Sequence, residues 1–322
     1  MEAQIEAIRD ELLIRLPWQR KTQRDKLSVL IAVALRVQSA NLMKWGAALP
    51  RQIRDKDVQY QYIERFLANP RVDVAAVMRP FAQEIMNKVS EKGQTIILMM
   101  DQSQIRGDLQ LLMISVRVGN RALPVLWSVA KTEGNIGFED QKNLLDQVVA
   151  CIPEGKSVLL AGDRFYGTAA LMEWCQQAGW DYRLRLKGNI LIYQNIGEKS
   201  LHDLYQEGQR SLSSARLVSG VTTHIGIVHE DGHPEPWFIA MSAKPTMYTA
   251  LDYGMRWGIE SLFSDLKSRG FDVTATHIKK TDRLEKMLLV LSLAMYWAVS
   301  TGLWVKTTTT PTSQTLKKNT AP

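Results

Sequence analysis

Residues 95–101 read TIILMMD and residues 157–163 read SVLLAGD. Each is a short, continuous apolar run closed by an aspartate. Runs of this length, rich in Ile, Leu, Val and Met and bounded by turn-forming residues, suit strands buried on both faces. What lies between and beyond them sets the fold. Leu109–Val118 and Ala122–Ala130 are separated by Gly119-Asn120-Arg121, a hairpin signal, so they predict two antiparallel strands. Phe138–Ala150 and Thr168–Ala178 predict helices, and Asp181–Leu186 predicts a further strand. The order is strand, strand, strand, helix, strand, helix, strand: an α/β core with mixed strand directions.

Around this core the composition shifts. Residues 1–90 are dominated by Ala, Leu, Gln, Arg and Glu at helical spacing, and Pro50, Pro70 and Pro80 punctuate them. Residues 91–190 hold the first part of the core. Residues 191–245 are rich in Ser, Gly, Thr and His, with short alternating runs at Ala215–Ser219, Thr222–His229 and Trp237–Met241, which predict an all-β insertion. Residues 246–306 return to helical pattern, and residues 307–322, with their Thr, Lys and Pro, predict a disordered tail.

The chain has 322 residues, 45% of them hydrophobic, enough for a sizeable core. Its formal charge is +7 and its pI near 9.3, which favours a polyanionic partner. Cys151 and Cys175 form no CxxC pair and read as buried, reduced thiols. The histidines lack metal-ligand spacing, and no Gly-rich phosphate loop is present, so no nucleotide cofactor is expected. The N-terminus has no basic region followed by an apolar run, which makes a cytoplasmic location the expectation. Met287–Trp304 is long enough to span a bilayer but also suits a helix buried in a large core, the reading preferred here.

Asp101 and Asp163, each following a buried strand, would project into the cleft above the sheet. Oxygen ligands of this kind suit hard divalent cations. Taken singly, each reads more readily as an aspartate that starts a turn. The third element is a predicted helix from Tyr248 to about Ser268. It carries Tyr253, Arg256, Glu260 and Lys267, which at ~100° per residue fall inside an arc of roughly 60°. Leu251, Met255, Ile259, Leu262 and Leu266 fall on another, apolar face. A solvated stripe with an ordinary i,i+4 pair is the alternative.

The spacing Tyr253-x2-Arg256-x3-Glu260-x6-Lys267 resembles the YREK signature of a family of bacterial insertion-sequence transposases of the cut-and-paste, composite-transposon type, whose catalytic set is Asp, Asp, Glu. Gly162-Asp163-Arg164-Phe165-Tyr166-Gly167 and the strand Arg183–Asn189 are similar to that family's segments, and the resemblance spans roughly residues 90–290. It implies a ribonuclease-H-like core in which Asp101, Asp163 and Glu260 hold two Mg²⁺ ions (Mn²⁺ as substitute) about 4 Å apart. It implies in-line phosphoryl transfer on double-stranded DNA, both transposon ends and target, by a homodimer on paired ends. Tyr253, Arg256, Lys267 and Arg164 would meet phosphates. Trp237 would stack a displaced base, and the helical residues 1–90, with Arg51 and Arg54, would help bind the ends. A catalytically inactive, transposase-derived DNA-binding protein or inhibitor of transposition is the alternative. A membrane partner is not expected.

Overall fold

A computed structural model of the chain describes residues 1–50, 55–229, 232–246, 250 and 252–308. Five helices come first: α1 (Glu2–Arg15), α2 (Lys21–Val37), α3 (Leu42–Ala47), α4 (Lys56–Leu67) and α5 (Val74–Val89). Three begin on side-chain caps. Asn41 accepts from the Met43 and Lys44 amides, Asp55 from Asp57 and Asp73 from Ala76. Each cap satisfies amides that an open helix end would leave orphaned.

The sheet that follows has eight strands in the order β3-β2-β1-β4-β5-β10-β9-β8. Its first half is β1 (Ile96–Arg106), β2 (Leu109–Val118), β3 (Arg121–Lys131), β4 (Val158–Gly162) and β5 (Asp181–Leu186), with α6 (Phe138–Val149) before β4 and α7 (Ala169–Ala178) before β5. β1 pairs antiparallel with β2 and parallel with β4, and β4 is parallel to β5. All five residues of β4 are buried, as its apolar run predicts.

Two expectations need correction. Residues 191–245 are not an all-β unit, since they include the helix α8 (Leu201–Gln206) beside a small two-stranded sheet, β6 (Leu191–Tyr193) with β7 (Glu198–Ser200). Nor is this segment separate from the core. β8 (Ser211–Arg216), β9 (Thr222–Val228) and β10 (Trp237–Met241) extend the main sheet, with β10 antiparallel to β5. The reason is the edge of β5, whose amides and carbonyls would otherwise lie unpaired. The run Trp237–Met241 is buried at every position, which marks it as an interior strand.

After the sheet come a 3₁₀ turn (Asp252–Trp257), α9 (Gly258–Leu266) and α10 (Thr281–Thr308). Of the residues 307–322 expected to form a tail, 307 and 308 belong to α10, and 309–322 lie outside the described residues. The bilayer-length segment is the central part of α10. Leu284, Met287, Leu288, Leu289, Val290, Leu291, Leu293 and Ala294 are fully buried, and α10 packs against α2 and β3. Its backbone and tips are tied in as well. The Tyr296 hydroxyl donates to the Pro124 carbonyl at 2.9 Å, and Glu285 Oε1 accepts from the Val129 amide at 2.8 Å. A helix apolar on all sides is thus the pin between the N-terminal helices and the sheet.

Leu288→Ala should therefore remove about 2–5 kcal/mol of stability, seen as a lower urea midpoint with an unchanged m-value. An unchanged midpoint would contradict the burial of α10.

Candidate active site: three carboxylates and a bridging arginine

Parallel register brings the two aspartates together. The last β1–β4 pair is Met100 with Gly162, so Asp101 and Asp163 are the next residues on neighbouring strands. Adjacent strands lie about 4.8 Å apart, which places both carboxylates at the carboxyl end of this parallel pairing. It is also where the chain order switches, since β1 leads away to β2 on one side and β4 leads to β5 on the other. Asp101 does not end its strand, as its position after TIILMM predicts. β1 continues to Arg106 because β2 pairs with it, Asp101 opposite Met113. Asp163 does start a turn: its Oδ1 accepts from the Phe165 amide at 2.9 Å. That turn then runs close to β5. A Cβ on Gly167 would stand 2.2 Å from the Arg185 carbonyl oxygen, so only glycine fits there.

The third carboxylate arrives on the first turn of α9. The expected single α-helix from Tyr248 to Ser268 is a correction: Tyr253 and Arg256 lie in the 3₁₀ turn, Glu260 in α9, and Lys267 is the residue that caps α9, with non-helical φ −96° and ψ −119°. Residues 247–249 and 251 lie outside the described residues. A continuous helical stripe is therefore not what aligns the four residues. Close packing substitutes for it. A Cβ on Gly258 would lie 3.4 Å from Met99 Sδ and 3.5 Å from the Arg121 backbone, so the start of α9 rests directly on β1 and the β2–β3 hairpin.

Arg256 joins the carboxylates. Its Nη1 donates to Asp101 Oδ2 at 3.2 Å and its Nη2 to Glu260 Oε1 at 2.6 Å. The Arg256 side chain is 11% exposed, Asp101 15% and Glu260 45%. Its Nε finds no hydrogen-bond partner among the described residues, and neither does the hydroxyl of Tyr253. These two buried groups beside the carboxylates could thus take an acceptor that is not found among the described residues.

The electrostatics follow from the crowding. Burial pushes the Asp101 carboxyl from its usual 3.8 up to about 6; Asp163 and Glu260 add to the rise, while Arg256 and the Gln102 amide oppose it. The same neighbours act on Tyr166, a buried residue given no role by its sequence alone. Burial, then Asp101 and Asp163, push its phenol upward. Burial works against the charge of Arg256, but Tyr253, Asp101 and Glu260 outweigh it and raise its pKa.

The remaining expected residues separate into groups. Lys267 reaches the site from the end of α9, its Nζ donating to Ser103 Oγ at 2.7 Å. Burial lowers its pKa. Arg164 is exposed at the rim, lining a cleft with Arg185 and Lys187. Trp237 is buried within β10, 9% exposed, edge-on to Tyr253 at 5.8 Å and beneath the Arg185 guanidinium at 5.5 Å. In this arrangement its ring packs against Tyr253 and Trp257. Arg51 and Arg54 lie outside the described residues.

All three carboxylates offer oxygen, the donor type that hard divalent cations select. Among the described residues, no three His, Cys, Asp or Glu side chains converge on a common ion position. Arg256 bridges two of the three, Asp101 and Glu260. The donor chemistry of the three carboxylates fits a divalent cation.

Because folded Asp101 holds its proton to higher pH than unfolded Asp101, stability falls as pH rises from about 4 to about 6. The component due to this one group is at most about 3 kcal/mol, at roughly 1.4 kcal/mol per unit. In Asp101→Asn that component should vanish, so the wild-type minus variant difference in urea stability should shrink with pH across the window. A difference that is flat or grows would contradict the burial of this carboxylate.

No curated protein matches the chain. Two solved structures of Ciona intestinalis endonuclease V, in complex with 23mer and 24mer DNA containing an inosine followed by a ribo-adenosine, are 15% and 13% identical to it. The matches cover 66% and 70% of this chain and 96% and 95% of theirs, with TM-scores of 0.30 and 0.28. The family model described as "Transposase DDE domain" matches residues 135–297, a span that includes Asp163, Arg256 and Glu260. The chain belongs to the transposase DDE domain family.

Proposed function

We propose that the protein is a DNA transposase that catalyses metal-dependent phosphoryl transfer, cleaving the ends of an insertion sequence and joining them to target DNA. The observation that carries the reading is that Asp101 and Glu260 meet on the guanidinium of Arg256, with Asp163 beside Asp101 on the neighbouring strand, within a chain of the transposase DDE domain family. The sheet order β3-β2-β1-β4-β5 and the carboxylates at its switch point are consistent with a ribonuclease-H-like core. The Tyr253, Arg256, Glu260 and Lys267 spacing supports the YREK, cut-and-paste type. Double-stranded DNA is the partner, with a dimer on paired ends and action at the bacterial nucleoid.

Asp101, Asp163 and Glu260 would hold Mg²⁺ or Mn²⁺. The chemistry such ions would supply there is activation of the attacking oxygen and stabilisation of the leaving one. The chain's own residues do the rest. Arg256 is the residue whose planar fork matches a phosphate as well as a carboxylate, so a DNA phosphate is its alternative partner. Moving to it frees Asp101 and Glu260. Tyr253 presents an unpaired hydroxyl to the same acceptor. Lys267 adds a point charge beside Ser103. None of these groups forms a covalent bond in the reaction; they position charge where it develops.

The bridge also gives a second reading its support. A guanidinium that keeps Asp101 and Glu260 neutralised would leave a DNA-binding protein without catalysis, acting as an inhibitor of transposition. Purified protein with labelled insertion-sequence ends and Mg²⁺ or Mn²⁺ separates the two. Metal-dependent nicking is expected, reduced at least about 10³-fold in Asp101→Ala, Asp163→Ala and Glu260→Ala. Nicking unchanged in these variants would remove the assignment, and binding without cleavage would favour the inhibitor.

A further inference from the structure

The strand that carries Asp101 contains an irregularity the reaction chemistry does not explain. Along β1, Asp101 pairs with Met113, Ser103 with Leu111 and Gln104 with Gln110, but the next pair is Arg106 with Leu109. Ile105 is left over as a β-bulge. In an antiparallel ladder directly opposed residues share a face, and Met113, Leu111 and Leu109 alternate by two. Asp101, Ser103 and Arg106 therefore lie on one face. Without the bulge, Ile105 would occupy that place and Arg106 would point to the other side. The extra residue buries Ile105 and turns the exposed Arg106 toward the face of the carboxylates.

Other cations gather on the same line. Lys267 is held at Ser103. Arg106 Nη1 donates to the Thr276 carbonyl at 3.1 Å and lies 3.0 Å from His277 Nδ1. Two residues further, the exposed Lys279 and Lys280 line a hollow with the start of α3. None of Arg106, Lys267, Lys279 and Lys280 is in an ion pair among the described residues. Cations that gather without carboxylate partners are the footprint of a polyanion.

We infer that Arg106, with Lys279 and Lys280, continues the site as a phosphate-contacting row, so that duplex DNA leaves the carboxylates along β1 towards the N-terminal helices. The inference rests on the proposed transposase function but names the direction and residues of the interface. From Asp101 to Arg106 the strand covers about 15 Å, the axial length of about four base pairs. The contacts are to backbone phosphates, so they fix position and do not read sequence.

Fluorescence anisotropy with a short random-sequence DNA duplex, in Ca²⁺ and between about 50 and 200 mM KCl, tests the row through its salt slope. Each lost phosphate contact should lower the slope of log K against log salt by about 0.9. Arg106→Gln should lower it by about one contact, the exposed pair Lys279→Ala/Lys280→Ala by about two, and Arg106→Lys should retain it. Lys92→Ala, at the opposite end of β1, should leave it unchanged. Wild-type slopes in Arg106→Gln and in the double variant would overturn the row while leaving the transposase reading standing. Failure of the wild-type protein to bind any duplex would overturn both.

Discussion

The site depends on a single register: Met100 of β1 beside Gly162 of β4 in a parallel pair. One residue beyond that pair on each strand is an aspartate. A shift of one residue would turn either side chain to the opposite face of the sheet and separate the carboxylates. The register is held by what surrounds it. β4 is buried along its whole length, β1 is apolar up to Met100, and α10 closes the sheet against the N-terminal helices. Gly167 then permits the close approach that brings the Asp163 turn onto this frame, and the start of α9 packs at van der Waals distance on Met99 and Arg121.

A cluster of three carboxylates is costly to desolvate, and the raised pKa of Asp101 records that cost. Arg256 offsets it with two charge-assisted hydrogen bonds in a fork that suits carboxylate and phosphate alike. The structure thus shows the site in its self-neutralised form. Under the proposed function the same guanidinium would link DNA contact to ion binding, because a phosphate that attracts Arg256 would release both Asp101 and Glu260. Stability and function draw on one side chain here.

The strand–strand–strand–helix–strand–helix–strand order was legible because each core strand is a buried apolar run with clear turn residues around it. Three features were not. Asp101 reads as a strand end because DQSQIR is polar, yet pairing with β2 carries the strand on; long-range pairing overrides the local pattern. The stretch from Tyr253 to Lys267 has helical spacing, but its first part is a 3₁₀ turn and Lys267 is a cap, so packing on β1 rather than periodicity collects these side chains. The Ser/Gly-rich segment after β5 reads as a separate unit, whereas its strands complete the main sheet. The bulge at Ile105 leaves no trace in the composition at all. Of the proposed site, Arg256 and Glu260 stand out by spacing, and Asp101 and Asp163 by strand-end position together with the family resemblance, while Tyr166, Ser103 and Arg106 needed the fold.

Iron-directed backbone cleavage tests most directly whether Asp101, Asp163 and Glu260 form one divalent-cation site. Fe²⁺ substituted for Mg²⁺ in the presence of duplex DNA, with ascorbate and peroxide, generates hydroxyl radicals that cut the chain beside the bound ion. The account predicts cuts at three places in one molecule, near Asp101, near Asp163 and near Glu260, all suppressed together by excess Mg²⁺. Cuts confined to one of these segments, or cuts elsewhere that Mg²⁺ does not suppress, would contradict it.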